Sequence, residues 1–179
     1  QVPRILAESG VRFLVVEALP SSKIDGVSFW LNNEYPVIAL TMRFDRIDNF
    51  CFVLRHECEH ILREDGRNQE FGINIDIEME KRDLNISEIE NLANLAASDF
   101  CVPERLMETF IARKEPLFDQ NSLLGFARTI GVHPGVVVGQ LQKKTGRYNL
   151  FRNYLVKIKD YIIPNAYVDG WGNVFPIDK

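Results

Sequence analysis

The sequence predicts an α+β fold, with a small amino-terminal sheet packed on a long amphipathic helix and a largely helical second half. Three observations predict it. Short runs rich in Val, Ile and Phe crowd the chain before Met42, apolar residues take up helical spacing from about Asn49, and Gly or Pro punctuates a series of helical patterns beyond Pro103.

In chain order, Pro3 to Ser9 reads as a short helix stopped by Gly10, and Val11 to Leu19 as a strand. Asp25-Gly26 marks a turn, after which Val27 to Leu31 and Pro36 to Met42 read as two further strands. From Asn49 to Arg63 the apolar residues Phe50, Val53, Leu54 and Ile61 define a core-facing helical stripe, and the helix is expected to end at Gly66. The stretch that follows is polar; Ile73, Ile75 and Ile77 alternate with polar residues and fit either a brief strand or a solvated connection. A second helix is expected from Ile86 to Cys101, its buried stripe formed by Ile89, Leu92, Ala93, Ala96 and Phe100. Further helices are expected over Glu104 to Arg113, Ser122 to Ile130, Pro134 to Lys144 and Leu150 to Ile163. The tail Val168 to Pro176 mixes turn residues with large aromatics and is expected to pack back onto the domain.

Composition bounds the function. With 179 residues, 46% of them hydrophobic, the chain can bury a substantial core. No apolar run approaches the roughly 20 residues of a membrane span, and no signal-peptide pattern opens the chain, so a cytoplasmic location is expected. Cys51, Cys58 and Cys101 are odd in number and fit reduced thiols better than a disulfide framework. A net charge of −4 argues against a broad basic face for nucleic acid. The segment Phe126 to Pro134 does have the outline of a helix-turn-helix, which opens a rival reading as a DNA-binding module within 122–145. Its second helix is apolar, however, with base-reading amides only at Gln140 and Gln142, and suits a core better than a groove.

The chemistry concentrates at His56-Glu57-Cys58-Glu59-His60. Two imidazoles four residues apart on a helix lie on one face and can reach the same metal ion, and a Glu beside the first is placed to act as general base on a water at that metal. Projected on the wheel, Glu57 falls inside the apolar stripe and the two histidines along its edge. A carboxylate among core residues is costly without compensation. A helix with two hydrogen-bonded histidines and a snorkelling glutamate is the plain alternative; it explains neither the placement of Glu57 nor why two of three histidines sit here. Cys58 turns away from both histidines on the same wheel.

Catalytic zinc usually takes three protein ligands and leaves a position open. Glu90 is the candidate for the third, with Asn94 one turn further as a group that holds a histidine. Ser87-Glu88-Ile89-Glu90 also reads as a capping box that would occupy Glu90, whereas a cap at Asn85 would leave it free; spacing does not choose between them. His133, ahead of Pro134 at a helix start, is a candidate for stabilising an oxyanion, or simply a cap; Tyr35, Tyr148 and Tyr154 are weaker candidates for the same role.

Arg55-His56-Glu57-Cys58-Glu59-His60-Ile61-Leu62, then Glu90-Asn91-Leu92-Ala93-Asn94-Leu95-Ala96-Ala97 and Val102-Pro103, resembles the ImmA/IrrE family of zinc metallopeptidases over roughly residues 35 to 105. In that family a His-Glu-x-x-His helix is followed by a Glu-x-x-Ala-Asn-x-Phe-Ala helix ending near Met-Pro. The resemblance implies zinc held by His56, His60 and Glu90, with Glu57 as catalytic base. Departures fall at Cys58, where a small or aliphatic residue is usual, at Ala96 in place of Phe, and at Phe100-Cys101-Val102 in place of Leu-Leu-Met. None removes a ligand; they bear on substrate preference.

The expectation is thus a zincin-like α+β metallopeptidase domain over 1–115 with a helical extension over 116–179, the two forming one structural unit. An edge strand, with Tyr35 to Leu40 as the candidate, would pair with the extended substrate. The resemblance further implies a repressor or antitoxin-type protein as substrate; from charge and hydropathy, no direct nucleic-acid binding and no membrane are expected. Ile5 to Val16 is similar to the linker and first strand of members fused behind a helix-turn-helix domain, so the chain is expected to be part of a longer regulator. The alternative is a catalytically silent, metal-containing regulatory or binding module.

Overall fold

The computed structural model describes residues 1–67 and 83–169. The stretch holding Ile73, Ile75 and Ile77, and the tail beyond Asp169, lie outside the described residues. Those described form an α+β structure with one four-stranded sheet and seven α-helices. No helix among them is long and apolar enough to cross a membrane.

Helix α1 (Val2–Glu8) takes Pro3 in its first turn, where no backbone donor is lost, and ends ahead of Gly10. Strand β1 (Arg12–Val16) stops short of the expected Leu19; Val15 pairs with Leu40, the last residue of its neighbour, and Val16 with Asp169. Asp25-Gly26, expected as a turn, instead leads into strand β2 (Gly26–Leu31). The tight turn lies at Asn32 and Asn33, both with positive φ, closed by Glu34 N–H donating to Leu31 O at 3.0 Å. Two left-handed residues match the twist of a hairpin, and Asn tolerates them. Strand β3 (Tyr35–Leu40) completes the hairpin.

Sheet order is β2-β3-β1-β4, with β1 parallel to β3 and to a short β4 (Tyr167–Asp169), and β2 antiparallel to β3. This corrects the substrate-strand expectation. Tyr35 to Leu40 is an interior strand hydrogen-bonded on both sides, with Val37 to Leu40 buried, so among the described residues β2 is the edge beside β3.

Helix α2 (Ile47–Leu62) lies between two clusters of core residues. Phe50 joins Phe13, Val15, Ile38 and Leu40 on the sheet side, and Ile47 and Cys51 pack against both that cluster and the helical one. Helix α3 (Asp83–Cys101) starts upstream of both expected caps, so Asn85 and Ser87 lie inside it and Glu90 is beyond its first turn. Its buried face follows expectation in part: Ala93 of the expected stripe is buried, but Leu92 and Phe100 of the same stripe are not. Ala93 and Ala97 are completely buried, whereas Leu92 is partly open and Phe100 is 69% exposed. Helices α2 and α3 pack against each other, and the larger apolar side chains Leu92, Leu95 and Phe100 are turned outward.

Helices α4 (Glu104–Lys114), α5 (Gln120–Ile130) and α6 (Pro134–Thr145) follow near their expected bounds. Asp119 caps α5, accepting from Ser122 N–H at 2.8 Å, and Gly131 ends it in the left-handed region. The α5-turn-α6 outline is therefore present, but α6 is core: Val136, Val137, Val138, Gln140, Leu141 and Gln142 are buried. Gln140 donates to Ser98 and Gln142 to Leu150 O, which commits both amides that could have read bases. The helix expected over Leu150 to Ile163 is broken into a 3-10 turn (Arg152–Tyr154), an extended stretch and short α7 (Lys159–Ile162). Tertiary bonds compete for its backbone: Asp45 Oδ1 accepts from the N–H groups of Ile158 and Lys159 at 3.0 and 2.8 Å, and Val156 O accepts from Ile47 N–H.

Ala97→Leu should force the two helices apart and destabilise the fold by about 1–3 kcal/mol. Denaturant unfolding checks this, and an unchanged midpoint would show that the contact yields freely.

Candidate metal centre

Helical spacing on α2 and the packing of α3 bring three sequence-predicted residues together. One ligand atom each from His56, His60 and Glu90 lies within 4.8 Å of the other two. His56 Nε2 and His60 Nε2 are 3.0 Å apart, and the Glu90 oxygens lie 3.1 Å from the first and 3.4 Å from the second. Glu90 arrives there because Ala93 and Ala97, one and two turns later on its face, let α3 lie against α2. Its side chain stays 37% exposed, so the cluster opens to solvent at the carboxylate. Two neutral imidazoles and one carboxylate make the nitrogen and oxygen donor set that suits zinc. On that chemistry the residues fit a metal ion.

The cluster is electrostatically coupled. Burial works against charge on His56, but the hydrogen bond to Glu90 and the charges of Glu57 and Glu90, helped by Asn94, outweigh it and hold its pKa above the ordinary value. Glu90 shifts the other way, chiefly through the His56 hydrogen bond. Asn94 lies exposed on α3 one turn beyond Glu90, and its hydrogen bond to His56 is the smallest of the influences that raise that pKa.

Glu57 is 7% exposed, as its place in the apolar stripe predicts. Its compensation comes from β2. Ser28 Oγ donates to Glu57 Oε2 at 2.8 Å, both groups buried. Two residues before Ser28, and so on the same face of the strand, Gly26 makes room for the carboxylate: a Cβ there would lie 2.9 Å from Glu57 Oε1 and 2.6 Å from Val53 Cγ1. Burial still dominates and pushes the Glu57 pKa up, with Ser28 and the two histidines acting in the opposite sense. A carboxylate with a raised pKa beside a group that could hold a metal is chemically suited to general base work.

A further carboxylate, Asp65, lies behind His60. Its Oδ2 is 3.0 Å from His60 Nδ1, on the ring edge away from Glu90. Neither Ser28 nor Asp65 was legible as a site residue: Ser28 stands 29 positions from its partner, and Asp65 depends on how α2 ends.

His133 is not brought to the cluster. It is the exposed N-cap of α6, its Nδ1 accepting from Gly135 N–H at 3.0 Å. A Cβ on Gly135 would touch Ile47 Cγ2, which places His133 by the start of α2, some ~13 Å along the helix from His56. Tyr35 opens β3 half exposed under Arg12, while Tyr148 and Tyr154 sit in the segment after α6. Cys58 packs toward the sheet cluster. Burial pushes the Cys51 thiol up to about 11 and the Cys101 thiol to about 12, which leaves both protonated at neutral pH rather than nucleophilic.

No protein-family model matches the chain, and no curated protein does.

Two outcomes are expected. Gly26→Ala should crowd Glu57 and Val53 and cost about 1–3 kcal/mol by denaturant unfolding; wild-type stability would mean the strand shifts freely. The raised Glu57 pKa means the folded chain holds that proton more tightly than the unfolded one, so folding loses stability as pH rises from the ordinary carboxyl range. In chelator-treated protein, Glu57→Gln should therefore unfold at a higher temperature than wild type at neutral pH, with the gap closing below the ordinary value of 4.5. A variant no more stable than wild type at neutral pH would mean Ser28 and the histidines fully offset the buried charge.

Proposed function

We propose that this chain is a zinc-dependent peptidase domain with a zincin-like arrangement, of the type its motifs resemble in the ImmA/IrrE family. The observation that carries the reading is the convergence of Glu90, from a second helix, on His56 and His60, with Glu57 on the adjoining face of α2. Zinc held by these three would act as a Lewis acid, lowering the pKa of a water and polarising the scissile carbonyl.

The chain's own residues supply the rest. Glu57 takes a proton from the attacking water and passes it to the departing amine, a transfer that a buried, raised carboxyl makes more favourable. Ser28 fixes one Glu57 oxygen and leaves the other to act. Among the described residues no strand pairs with the outer edge of β2, and an extended peptide adding there as a further strand would lie beside the strand that carries Ser28 and Gly26 against the base. A loop or extended segment of a repressor or antitoxin-type protein is the proposed substrate, and the cytoplasm its place of action.

One observation favours a second reading, a metal-containing regulatory module without turnover: Glu57 is deeply buried, with one oxygen occupied by Ser28 and the other against Gly26.

Elemental analysis of purified protein should find about one zinc per chain, lost in His60→Ala and Glu90→Ala. Glu57→Gln should keep the zinc and lower cleavage of an extended peptide or partner protein by about 100-fold or more. Zinc retained in both ligand variants would remove the site. Equal regulation in the cell by wild type and Glu57→Gln would favour the silent module.

A further inference from the structure

The two histidines are supported differently on their outer sides. His56 Nδ1 is buried with no hydrogen-bond partner among the described residues. His60 Nδ1 faces Asp65 Oδ2 at 3.0 Å, and the Asp65 side chain is only 11% exposed.

Asp65 reaches that position through the way α2 stops. Arg63 is the C-cap, Glu64 takes a left-handed φ of 58°, Glu64 N–H donates to Ile61 O at 3.1 Å and Asp65 N–H to His60 O at 2.9 Å. This pair of bonds is the Schellman closure, which reverses the chain over the last turn. The residue that follows the left-handed position in such a turn commonly makes an apolar contact back to the helix. Here it is a carboxylate on an imidazole instead. Arg63 Nε, 3.7 Å from Asp65 Oδ2, places a cation beside that carboxylate, and Arg67 anchors the turn by donating to Asn33 O at 3.0 Å with its guanidinium 4.8 Å over the Trp30 ring.

We propose that Asp65 is the positioning residue of His60: it accepts the Nδ1–H, fixes the tautomer that leaves the Nε2 lone pair facing Glu90, and thereby sets how tightly the site holds its metal. A carboxylate can only accept, so the proton must sit on Nδ1, and a neutral ring then has its lone pair on Nε2. Outer partners of this kind raise ligand basicity and hold the ring in place. The proposal rests on the reading of His56, His60 and Glu90 as a metal site.

The test is zinc affinity by competition with a chromophoric chelator, on chelator-treated full chain as wild type, Asp65→Asn, Asp65→Ala and Asn94→Ala. Nitrogen-15 imidazole spectra of the same metal-free samples report the tautomer of His60. Asp65→Ala should bind zinc about 10- to 100-fold more weakly than wild type and lose the Nδ1–H signal of His60. Asp65→Asn, which keeps an acceptor oxygen without the charge, should fall between them with the tautomer retained, and Asn94→Ala should lose less than Asp65→Ala. A merely structural aspartate would lower stability without moving the tautomer. Asp65→Ala matching wild-type affinity would overturn the proposal; should that variant not fold, Asp65→Asn matching wild type would do so. A wild-type chain that takes up no zinc would instead overturn the metal-site reading itself.

Discussion

The contact between α2 and α3 is the constraint on which the rest depends. Ala93 and Ala97 are fully buried, and their small side chains let α3 lie against α2 closely enough for Glu90 to meet both histidines. Any larger side chain on that line would move the carboxylate outward with the helix. The same geometry explains why Leu92, Leu95 and Phe100 are turned to the surface although each is apolar. Arg55 uses one of them, its guanidinium lying 5.5 Å over the Phe100 ring while it pairs with Glu59.

Around that contact the structure holds several polar groups in places where burial penalises them, and each is held by a partner from a different element. Ser28 on β2 serves Glu57, Asp65 in the turn after α2 serves His60, and Gln140 on α6 donates to Ser98 on α3. Leaving any of these groups without its partner would be costly. The sheet, α2 and the turn that ends α2 are therefore tied to the site by polar bonds as well as by core packing. Compensation is not complete: His56 Nδ1 and Gln140 Oε1 are buried with no partner among the described residues, and the raised pKa of Glu57 records burial that its partners do not offset. A binding or catalytic site commonly keeps such a cost because it keeps the group reactive.

The helical second half acts as a buttress. Helix α6 runs beside α2, from Gly135 at Ile47 to Lys143, whose Nζ lies 4.8 Å over the Phe52 ring, and the Phe52 ring lies 6.2 Å from that of His56. Its burial explains why a helix-turn-helix outline here serves packing. Val136 to Val138 and Leu141 share one cluster with Cys101, Val102, Met107 and Leu123, so residues on both sides of position 115 contribute to a single core.

What could be read from the sequence was whatever depends on local periodicity. The 3.6-residue repeat placed α2, put Glu57 among its core positions and set His56 and His60 on one face, because spacing along a helix fixes direction around it. Helices α4 to α6 were legible for the same reason, with Gly131 and Pro134 marking their ends. Strand order was not, since pairing depends on which strands meet in space: Tyr35 to Leu40 carries no local mark of being interior. The apolar pattern of α3 revealed its buried face only in part: Ala93 is buried as its spacing predicts, but Leu92 and Phe100 are exposed, because packing there selects for small size over hydrophobicity. Leu150 to Ile163 kept helical spacing yet lost the helix to bonds from Asp45 and Ile47. Ser28, Gly26 and Asp65 entered the site only through the tertiary structure, since a hydroxyl, a missing side chain and a turn carboxylate gain meaning from what stands opposite them. The sequence by itself determined that two histidines and a glutamate share a helix; the packing of a second helix and an edge strand decided that they share a site.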